Sequence, residues 1–374
     1  MRIVIVTAAT GHGHLAAAGA LKEAAEARGH QVSVIDIGQC HRLLRLPVAL
    51  YNAFLRRPPQ WMSLFFGAVN TLKVDRLAFR FIGGWAHRQF LATQPHLIVS
   101  VHPMVNYAIA ELAVRVRFQT PFVILTTDYA PPFWRGWAEP RATATLVSTV
   151  EAKQQLAAWG VPQERIQLAS MPVRSIFRQL RTEEIRRQTL QRLGLDSARL
   201  TVVLSAGLAA RRSALNVYQA LAEAPALTSR IQTIVLAGRD QRIFTAAQRM
   251  RAPFPTSIQP WRDDIETIFA AADLLFTKPG GSTVSEALAA GVPLLLDACG
   301  GVMPQERGTA HWVVERQLGW LIRNPHEVAA VVGRLTPQDL AEYRRRLQEV
   351  VRGDAASVLD LVESHISGYT TIFP

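Results

Sequence analysis

A glycine-rich segment in the second half of the chain reads Lys278-Pro279-Gly280-Gly281-Ser282-Thr283-Val284-Ser285-Glu286. An apolar run over 272–277 precedes it and predicts a buried strand, and an alanine-rich run over 287–291 follows it and predicts a helix ended by glycine. The segment therefore lies at a helix N-terminus, where free backbone N–H groups and the helix dipole favour a phosphate. An ordinary strand–helix turn with a capping serine fits the spacing equally well.

The side chains of this segment fit a phosphorylated ligand that also carries a ribose. Gly280 and Gly281 have no side chains, so the backbone can come close to a phosphate. Ser282 and Thr283 place two hydroxyl groups beside them. Glu286 lies one turn into the helix, where it can accept hydrogen bonds from the ribose hydroxyls of the same ligand.

The size and composition of the chain restrict its class. With 374 residues it is too long for one compact core, which suggests two domains. Cys40 and Cys299 are too few and too far apart for a disulfide framework or a metal site, so a reducing cytoplasm is the expected compartment. The chain goes straight into a strand, and its apolar runs are shorter than the roughly 18 residues of a membrane span. Neither a secretory signal nor a transmembrane helix is predicted.

The net charge of +12 favours anionic partners, which are an anionic lipid surface, a nucleotide substrate or nucleic acid. Because the sequence has no zinc knuckle, RNA-binding motif or basic coiled coil, a nucleic-acid partner is not expected. Basic residues mixed with large aromatic ones fill residues 41–90, which contain a single acid. This pattern is typical of an amphipathic surface on an anionic bilayer, with packed helices carrying solvated arginines as the alternative. The residues expected at the membrane and acceptor are Arg56, Arg57, Trp61, Phe65 and Phe66.

A βαβ unit opens the chain, with strands predicted over 2–8 and 31–37 and a helix over 15–28. The loop after its first strand contains Gly11 and Gly13, which fit the dinucleotide fingerprint together with Ala16 and Asp36. That fingerprint is weak alone, because the two histidines of the loop would crowd a pyrophosphate. A dinucleotide oxidoreductase remains an alternative.

Three polar side chains follow predicted strands in the first half. His14 opens the first helix, His102 follows a strand over 96–101, and Asp128 follows a strand over 121–127. Because ligands gather at the carboxyl ends of a parallel sheet, we expect these side chains to meet at one site. Histidine is well suited to proton transfer near neutral pH, so we expect His14 to face the cleft rather than solvent.

The chain is predicted to divide into two domains of similar architecture. Two more strands complete the first series, over 144–149 and 166–169, and a second series follows over 200–205, 231–237, 274–277 and 292–297. The first domain is assigned to residues 1–172 and the second to residues 173–350. Residues 351–374 form a tail that can cross back to the first domain.

These motifs resemble those of family 28 glycosyltransferases, which have the GT-B fold, and most closely those of monogalactosyldiacylglycerol synthases and bacterial diacylglycerol glucosyltransferases. The matching segments are the Thr10–His14 loop, the segment over 278–286, and residues 59–66, 100–103, 127–129, 171–173 and 305–308. They cover nearly the whole chain. The resemblance implies two tandem Rossmann-like domains with parallel sheets and a cleft between them.

The resemblance also implies an activity, which is inverting transfer of galactose or glucose from a UDP-sugar to diacylglycerol with formation of a β-linkage. Ser282 and Thr283, with their backbone amides, would hold the diphosphate, and Gly280 and Gly281 would let it come close. Glu286 would bind the ribose. The residues expected to bind the sugar hydroxyls are Gln305 and Glu306.

The remaining roles follow from the same resemblance. The uracil would lie near Trp261, and Arg239 or Arg211 would assist the phosphates. His14 and Asp128 are the candidate bases, alone or as a pair, and His102 is an acceptor-side contact. No metal or other cofactor is expected, because positioned donors can stabilise the leaving UDP. The protein is expected in the cytoplasm, peripherally bound to the inner face of the cell membrane.

The sequence departs from the family pattern at three places. The run Ser205-Ala206-Gly207-Leu208-Ala209 is poorer in glycine than usual, no histidine follows Asp128, and Thr309 stands where asparagine is usual. A different lipid acceptor therefore remains open. A nucleotide-sugar epimerase, which shares the tandem fold, and a non-catalytic sugar-nucleotide-binding subunit are further alternatives.

Overall fold

The computed structural model describes residues 1–8, 13–39, 67, 71, 74–205, 211–350 and 353–365. These residues form two sheets, each of six parallel strands. The first sheet contains β1 (Arg2–Thr7), β2 (Gln31–Asp36), β3 (Leu97–Ser100), β4 (Phe122–Leu125), β5 (Ala144–Val147) and β6 (Ile166–Leu168). The second contains β7 (Leu200–Ser205), β8 (Ile231–Gly238), β9 (Thr256–Pro260), β10 (Leu274–Thr277), β11 (Leu294–Asp297) and β12 (Gly319–Ile322). The predicted tandem α/β architecture is confirmed.

Fourteen helices of the described residues cover these sheets. Those of the first half are α1 (Gly13–Ala27), α2 (Val74–Thr93), α3 (Asn106–Val116) and α4 (Val150–Ala158). Those that follow are α5 (Ile176–Gln179), α6 (Glu183–Arg192), α7 (Arg211–Ala222), α8 (Gln241–Arg249), α9 (Ile265–Ala271), α10 (Gly281–Ala289), α11 (Arg307–Glu315), α12 (Pro325–Arg334), α13 (Pro337–Val350) and α14 (Ala355–Ser364). None of the described helices is both long and apolar enough to cross a membrane.

The strand orders place a ligand crevice in each sheet. The first sheet runs β2-β1-β3-β4-β5-β6, so its order reverses between β1 and β3. The second runs β12-β11-β10-β7-β8-β9 and reverses between β10 and β7. Ligands of open parallel sheets bind outside the carboxyl ends of the strands at such a reversal. The N-termini of α10 and α1 therefore occupy the expected positions.

The central strands are buried on both faces because helices cover each sheet. All four residues of β3, β4, β10 and β11 are buried. Strands buried on both faces are expected to read as continuous apolar runs rather than as alternating patterns. That property explains why these strands could be recognised in the sequence.

The end of the chain returns to the first sheet. Helix α14 buries Val358, Leu359 and Val362 in the same core as Ile3 and Leu21 of the first domain. At its polar edge, Glu363 accepts hydrogen bonds from Arg28 at 2.8 Å and pairs with His30 at 2.6 Å. The tail helix thus stabilises α1, whose N-terminus carries His14.

Two neighbouring segments connect the domains. One leads from β6 to α5, and the other leads from α13 to α14. The backbone N–H of Ala355 donates to the carbonyl of Val173 at 3.0 Å, and Ser175 Oγ donates to Asp354 Oδ2 at 2.6 Å. These bonds tie the two connecting segments to each other.

The sequence missed two strands of the second sheet, β9 and β12. Both lie at the edges of the sheet, and β9 reads Thr-Ser-Ile-Gln-Pro with a single fully buried residue. Strand β12 has only four residues, of which two are buried. Short edge strands need neither a continuous apolar run nor a clear alternation, so they leave little signal in the sequence.

The basic aromatic segment is described only from its C-terminal part. Arg56, Arg57, Trp61, Phe65 and Phe66 lie outside the described residues. Within α2, Phe79 and Trp85 pack against a hydrophobic core of the first domain. These two aromatic residues are therefore partly covered by the first domain, and the membrane-facing role of the segment stays a prediction.

Candidate active site

The turn after β10 lies against the rim of the first sheet. Ser282 Oγ donates to the carbonyl of Gly13 at 2.9 Å, so the N-termini of α10 and α1 meet. Beside this contact, a Cβ built on Gly281 would lie 2.6 Å from the carbonyl oxygen of Thr127. A side chain at position 281 would therefore push the domains apart. The site lies between the carboxyl ends of both sheets.

The N-terminus of α10 is open to a ligand. Its N-cap is Gly280, in an extended conformation and without a side-chain cap, and Ser282 Oγ points to Gly13 instead. The interpretation as an ordinary serine-capped turn is therefore wrong. Uncapped N–H groups at a helix N-terminus carry partial positive charge and can bind a diphosphate. Thr283 lies on the same first turn, partly exposed.

Two buried acceptors beside this turn have no partner among the described residues. They are Gln305 Oε1 and Glu306 Oε2. The other carboxylate oxygen of Glu306 would lie 3.4 Å from a Cβ on Gly280. Burial and the charge of Asp297 raise the pKa of Glu306, and the ammonium of Lys278 partly offsets them. A buried acceptor without a donor costs free energy, and hydroxyl groups of a ligand would satisfy it.

Glu286 is a second carboxyl group without a hydrogen bond among the described residues. Burial raises its pKa to about 7, the charge of Glu266 adds to this effect, and Arg174 opposes it. Arg174 is itself bonded to Glu266 at 2.5 Å. The carboxyl group of Glu286 therefore keeps its accepting capacity for a ligand.

His14 lies partly buried at the start of α1. Its Nδ1 is 2.9 Å from the carbonyl oxygen of Val101 and 2.7 Å from Thr127 Oγ1. Burial lowers its pKa to about 4, although the bond to Val101 acts in the opposite direction. The imidazole is therefore neutral at pH 7. Since the carbonyl of Val101 can only accept, the proton lies on Nδ1 and Nε2 carries the lone pair.

His102 packs against the ring of His14. It is only 3% exposed, and its ring centroid lies 4.4 Å from that of His14 in an edge-on contact. Its Nδ1 accepts the backbone N–H of Met104 at 3.2 Å. Burial, with a smaller effect of His14, holds its pKa well below 6.5. His102 thus supports the ring of His14, and its acceptor-side role stays a prediction.

Asp128 is held by Trp137 and not by His14. The indole Nε1–H of Trp137 donates to Asp128 Oδ2 at 2.7 Å, and Trp137 itself is fully buried. Burial raises the pKa of Asp128 to about 6, the Trp137 bond opposes this shift, and the charge of Glu306 adds to it. Glu306 of the second domain thus acts electrostatically on Asp128 of the first. His14 and Asp128 do not form a hydrogen-bonded pair.

The residues expected near the uracil lie at the carboxyl ends of β8 and β9. The guanidinium of Arg239 stacks on Trp261, 4.2 Å from the ring centroid. The indole Nε1–H of Trp261 donates to Asp263 Oδ1 at 2.8 Å, and the ring is 43% exposed. Arg211 opens α7, but its side chain lies outside the described residues. The stacked pair offers a planar surface at the ends of β8 and β9, which β7 separates from β10 in the sheet.

A further contact between the domains lies at the start of α11. A Cβ built on Gly308 would overlap the carbonyl oxygen of Pro131 and lie 2.6 Å from that of Ala130. Next to it, the rings of Tyr129 and Trp312 are 4.5 Å apart, and both side chains are buried. This contact holds the segment after Asp128 close to Gln305 and Glu306.

Sequence reasoning gave no individual role to four residues that the structure brings to the site. Thr127 bonds to His14, Trp137 bonds to Asp128, Lys278 lies near Glu306, and Arg174 lies near Glu286. Thr127 and Lys278 stood within the quoted motifs, so their position gave a signal. Trp137 and Arg174 gave none, because only the folded loops bring them near the carboxylates.

Two facing Rossmann-like domains with the site in the cleft between them define the GT-B fold. Alr3699/HepE of Anabaena, solved in complex with UDP and glucose, superposes with a TM-score of 0.58 at 14% identity, over 99% of this chain and 100% of that one. The fold that the resemblance implied is confirmed.

The relatives by sequence point to particular enzymes. The model of the monogalactosyldiacylglycerol (MGDG) synthase family matches residues 14–173. The chloroplastic monogalactosyldiacylglycerol synthase of Spinacia oleracea is 25% identical over 352 residues, covering 88% of this chain and 65% of that protein. The processive diacylglycerol beta-glucosyltransferase of Staphylococcus carnosus is 23% identical over 361 residues, covering 93% and 88%.

These similarities confirm the resemblance to galactolipid synthases and diacylglycerol glucosyltransferases that the motifs indicated. They support the glycosyltransferase class. The chain spans about two thirds of the length of the spinach enzyme that it matches.

Proposed function

We propose that the protein is a glycosyltransferase that moves galactose or glucose from a UDP-sugar to diacylglycerol, with inversion to a β-linkage, at the inner surface of the cell membrane. The observation that carries this proposal is the pair of buried, unpartnered acceptors Gln305 Oε1 and Glu306 Oε2 beside the open N-terminus of α10. A sugar supplies hydroxyl donors, and the helix N-terminus binds a diphosphate. The named activities of the relatives support diacylglycerol as the acceptor.

The donor would bind along the carboxyl ends of the second sheet. Backbone N–H groups from Gly280 onward, with Ser282 and Thr283, bind the diphosphate. Glu286 accepts hydrogen bonds from the ribose. The uracil lies against the surface of Trp261, with Arg239 stacked on it. We assign the stabilisation of the leaving UDP to the α10 N-terminus and the nearby Lys278, without a metal.

The reaction is a single displacement on the face of the sugar opposite the diphosphate. Nε2 of His14 takes the proton of the acceptor hydroxyl as its oxygen bonds to C1 of the sugar. The bond between C1 and the diphosphate oxygen breaks, and UDP leaves with the electron pair. A neutral imidazole with its lone pair on Nε2 is suited to this step. Asp128, held by Trp137, faces the same space and accepts a hydroxyl hydrogen bond from the substrate.

The proposal is tested by incubating the protein with labelled UDP-galactose or UDP-glucose and liposomes that contain diacylglycerol. We expect a labelled β-glycosyl-diacylglycerol with one of the two donors, at the same rate with and without EDTA. Liposomes with other lipid hydroxyls identify a different acceptor. Product formation without liposomes would indicate an epimerase, and no labelled product with either donor would contradict the proposal.

Glu286→Gln is expected to remove part of the pH dependence of UDP binding. In the free protein the pKa of Glu286 is raised to about 7, and ribose hydroxyls favour the ionised form. UDP binding therefore lowers this pKa and releases a proton. Affinity should rise with pH by up to about tenfold per unit below pH 7 and then level off. Calorimetry from pH 5.5 to pH 8.5 measures the UDP affinity of the wild-type and Glu286→Gln proteins. The same pH dependence in both would mean that Glu286 does not bind the ligand.

Binding to anionic vesicles is expected to weaken as salt rises. The segment over 41–90 is rich in basic residues, and attraction between surface charges is screened over roughly 8–10 Å at physiological ionic strength. Replacing Arg56 and Arg57 by glutamine should reduce sedimentation with these vesicles, whereas Arg187→Gln, which removes an exposed pair with Glu184, should not. Equal sedimentation of all three proteins would contradict this membrane surface.

A further inference from the structure

The base candidate His14 is held through one ring nitrogen by two oxygens. Its Nδ1 lies 2.9 Å from the carbonyl oxygen of Val101 and 2.7 Å from Thr127 Oγ1. These oxygens follow β3 and β4, which are neighbours in the first sheet. No described residue bonds to Nε2. The two ends of the imidazole thus have different surroundings, because only Nδ1 is hydrogen-bonded to described residues.

The chemistry of these two oxygens decides where the proton lies. A backbone carbonyl has no hydrogen, so a lone pair on Nδ1 would face the lone pairs of Val101 at 2.9 Å. With a proton on Nδ1, both Val101 and Thr127 accept from it. Thr127 Oγ1 then keeps its own hydrogen for the Val101 carbonyl, at 3.5 Å. Only this arrangement satisfies all three groups.

We propose that Thr127 is a positioning residue for the base. Its hydroxyl and the carbonyl of Val101 keep the proton on Nδ1 of His14, and they stabilise the imidazolium that forms when Nε2 takes the acceptor proton. This inference rests on the proposed function, because it places Thr127 in the step in which His14 accepts a proton. In a Ser-His-Asp triad a carboxylate accepts the Nδ1 proton of the catalytic histidine, whereas here a backbone carbonyl and a hydroxyl accept it.

The surroundings of the ring support this assignment. Burial disfavours a charged imidazolium that has no hydrogen-bond acceptor. The acceptors at Nδ1 therefore matter most when the ring carries its positive charge. His102, at the end of β3, is the titratable group in contact with the ring, and its Nδ1 is itself bonded to the backbone of Met104. It cannot share the Nδ1 proton of His14, since Val101 and Thr127 already occupy that side.

Thr127 also touches the donor turn. Its carbonyl oxygen lies 2.6 Å from the position that a Cβ on Gly281 would take. The backbone of Thr127 therefore lies between the turn that would hold the diphosphate and the histidine that would take the proton. One residue thereby connects the two halves of the reaction site.

Three variants test the inference by kinetics. Thr127→Val removes the hydroxyl with little change in shape and is expected to lower kcat roughly 10- to 100-fold, the effect of losing a hydrogen bond to a charged group. KM for the UDP-sugar should stay within about threefold. Thr127→Ser should restore kcat to near the wild-type value. The matched control is Thr126→Val, which removes the neighbouring buried hydroxyl that bonds to the Leu146 carbonyl. Equal losses in the Thr126 and Thr127 variants, or no rescue by serine, would overturn the assignment.

A measurement without substrate separates this inference from the proposed function. In ¹⁵N-labelled protein, imidazole NMR is expected to show His14 with its proton on Nδ1 and uncharged down to about pH 5. Acceptors at Nδ1 favour the charged ring, so Thr127→Val should lower the pKa of His14 further. A proton on Nε2 in the wild-type protein contradicts the inference whatever the activity. If the proton is on Nδ1 and no glycolipid forms, the proposed function fails alone.

Discussion

His14→Ala is expected to lower kcat by roughly 10²–10⁴-fold, which is the usual contribution of a positioned general base. In the proposed reaction the acceptor hydroxyl must lose its proton as it attacks C1, and Nε2 is the ring nitrogen of His14 that no described residue binds. UDP affinity should change little, because the groups expected to bind UDP lie on the second domain. Steady-state rates and UDP calorimetry measure both effects.

Asp128→Asn is the matched comparison for this variant. The carboxyl group of Asp128 is bonded to Trp137 and not to His14, so its loss should lower kcat less than the loss of His14. If Asp128→Asn instead abolishes turnover while His14→Ala retains it, the two roles are reversed.

The pH dependence of kcat/KM provides a second test of the same assignment. This ratio reports ionisations of the free enzyme, and a base must be deprotonated to act. The pKa of His14 is lowered to about 4 and that of Asp128 is raised to about 6. If His14 is the base, its protonation lowers kcat/KM only when the pH falls to near 4. If Asp128 must be ionised, the fall begins near pH 6 and disappears in Asp128→Asn.

Gly308→Ala is expected to reduce kcat/KM by about 10²-fold or more while both domains stay folded. A Cβ at this position would overlap the carbonyl oxygen of Pro131, and neither backbone can move aside without separating the domains. Gln305 and Glu306 lie three and two residues before Gly308, and Asp128 lies three residues before Pro131. A displacement of about 1 Å between groups that must act on one substrate can cost roughly 10²-fold in rate.

The control for this variant is Gly19→Ala. Gly19 lies in the middle of α1, and a Cβ there would meet nothing within 4 Å. This change should leave activity intact and stabilise the helix by about 1 kcal/mol. Thermal melting shows whether the variant is folded, so that lost activity can be assigned to the lost contact between the domains. UDP calorimetry shows whether the second domain still binds UDP. An active Gly308→Ala protein would mean that the reaction does not need this contact.

Much of the fold was predictable because its signals are local. The glycine segment before α10, the buried strand β10 and the helix α10 each leave a pattern within a few residues of sequence. The carboxyl ends of parallel strands then bring distant residues together by topology alone, which is why His14, His102 and Asp128 could be expected at one rim. The edge strands β9 and β12 carry no such local pattern, so they were missed.

The internal arrangement of the site was not predictable in the same way. His102 and His14 both follow strands, yet only the turn at Met104 decides that His102 packs inward. The partner of Asp128 is Trp137, whose position depends on a buried loop. Asn106 Nδ2 donates to the carbonyl of Gly136 at 2.8 Å and so fixes that loop. Such orientations depend on side-chain packing, which spacing in a sequence does not determine.

The two bonded connecting segments limit how the cleft can widen. Because Ala355 is bonded to Val173 and Asp354 to Ser175, both covalent passages between the lobes lie along one line. Because these bonds join the two segments to each other, rotation of the lobes about that line as an axis would keep both of them. Entry and departure of the proposed donor could then use such a rotation. The greatest displacement would fall at the cleft edge farthest from this axis.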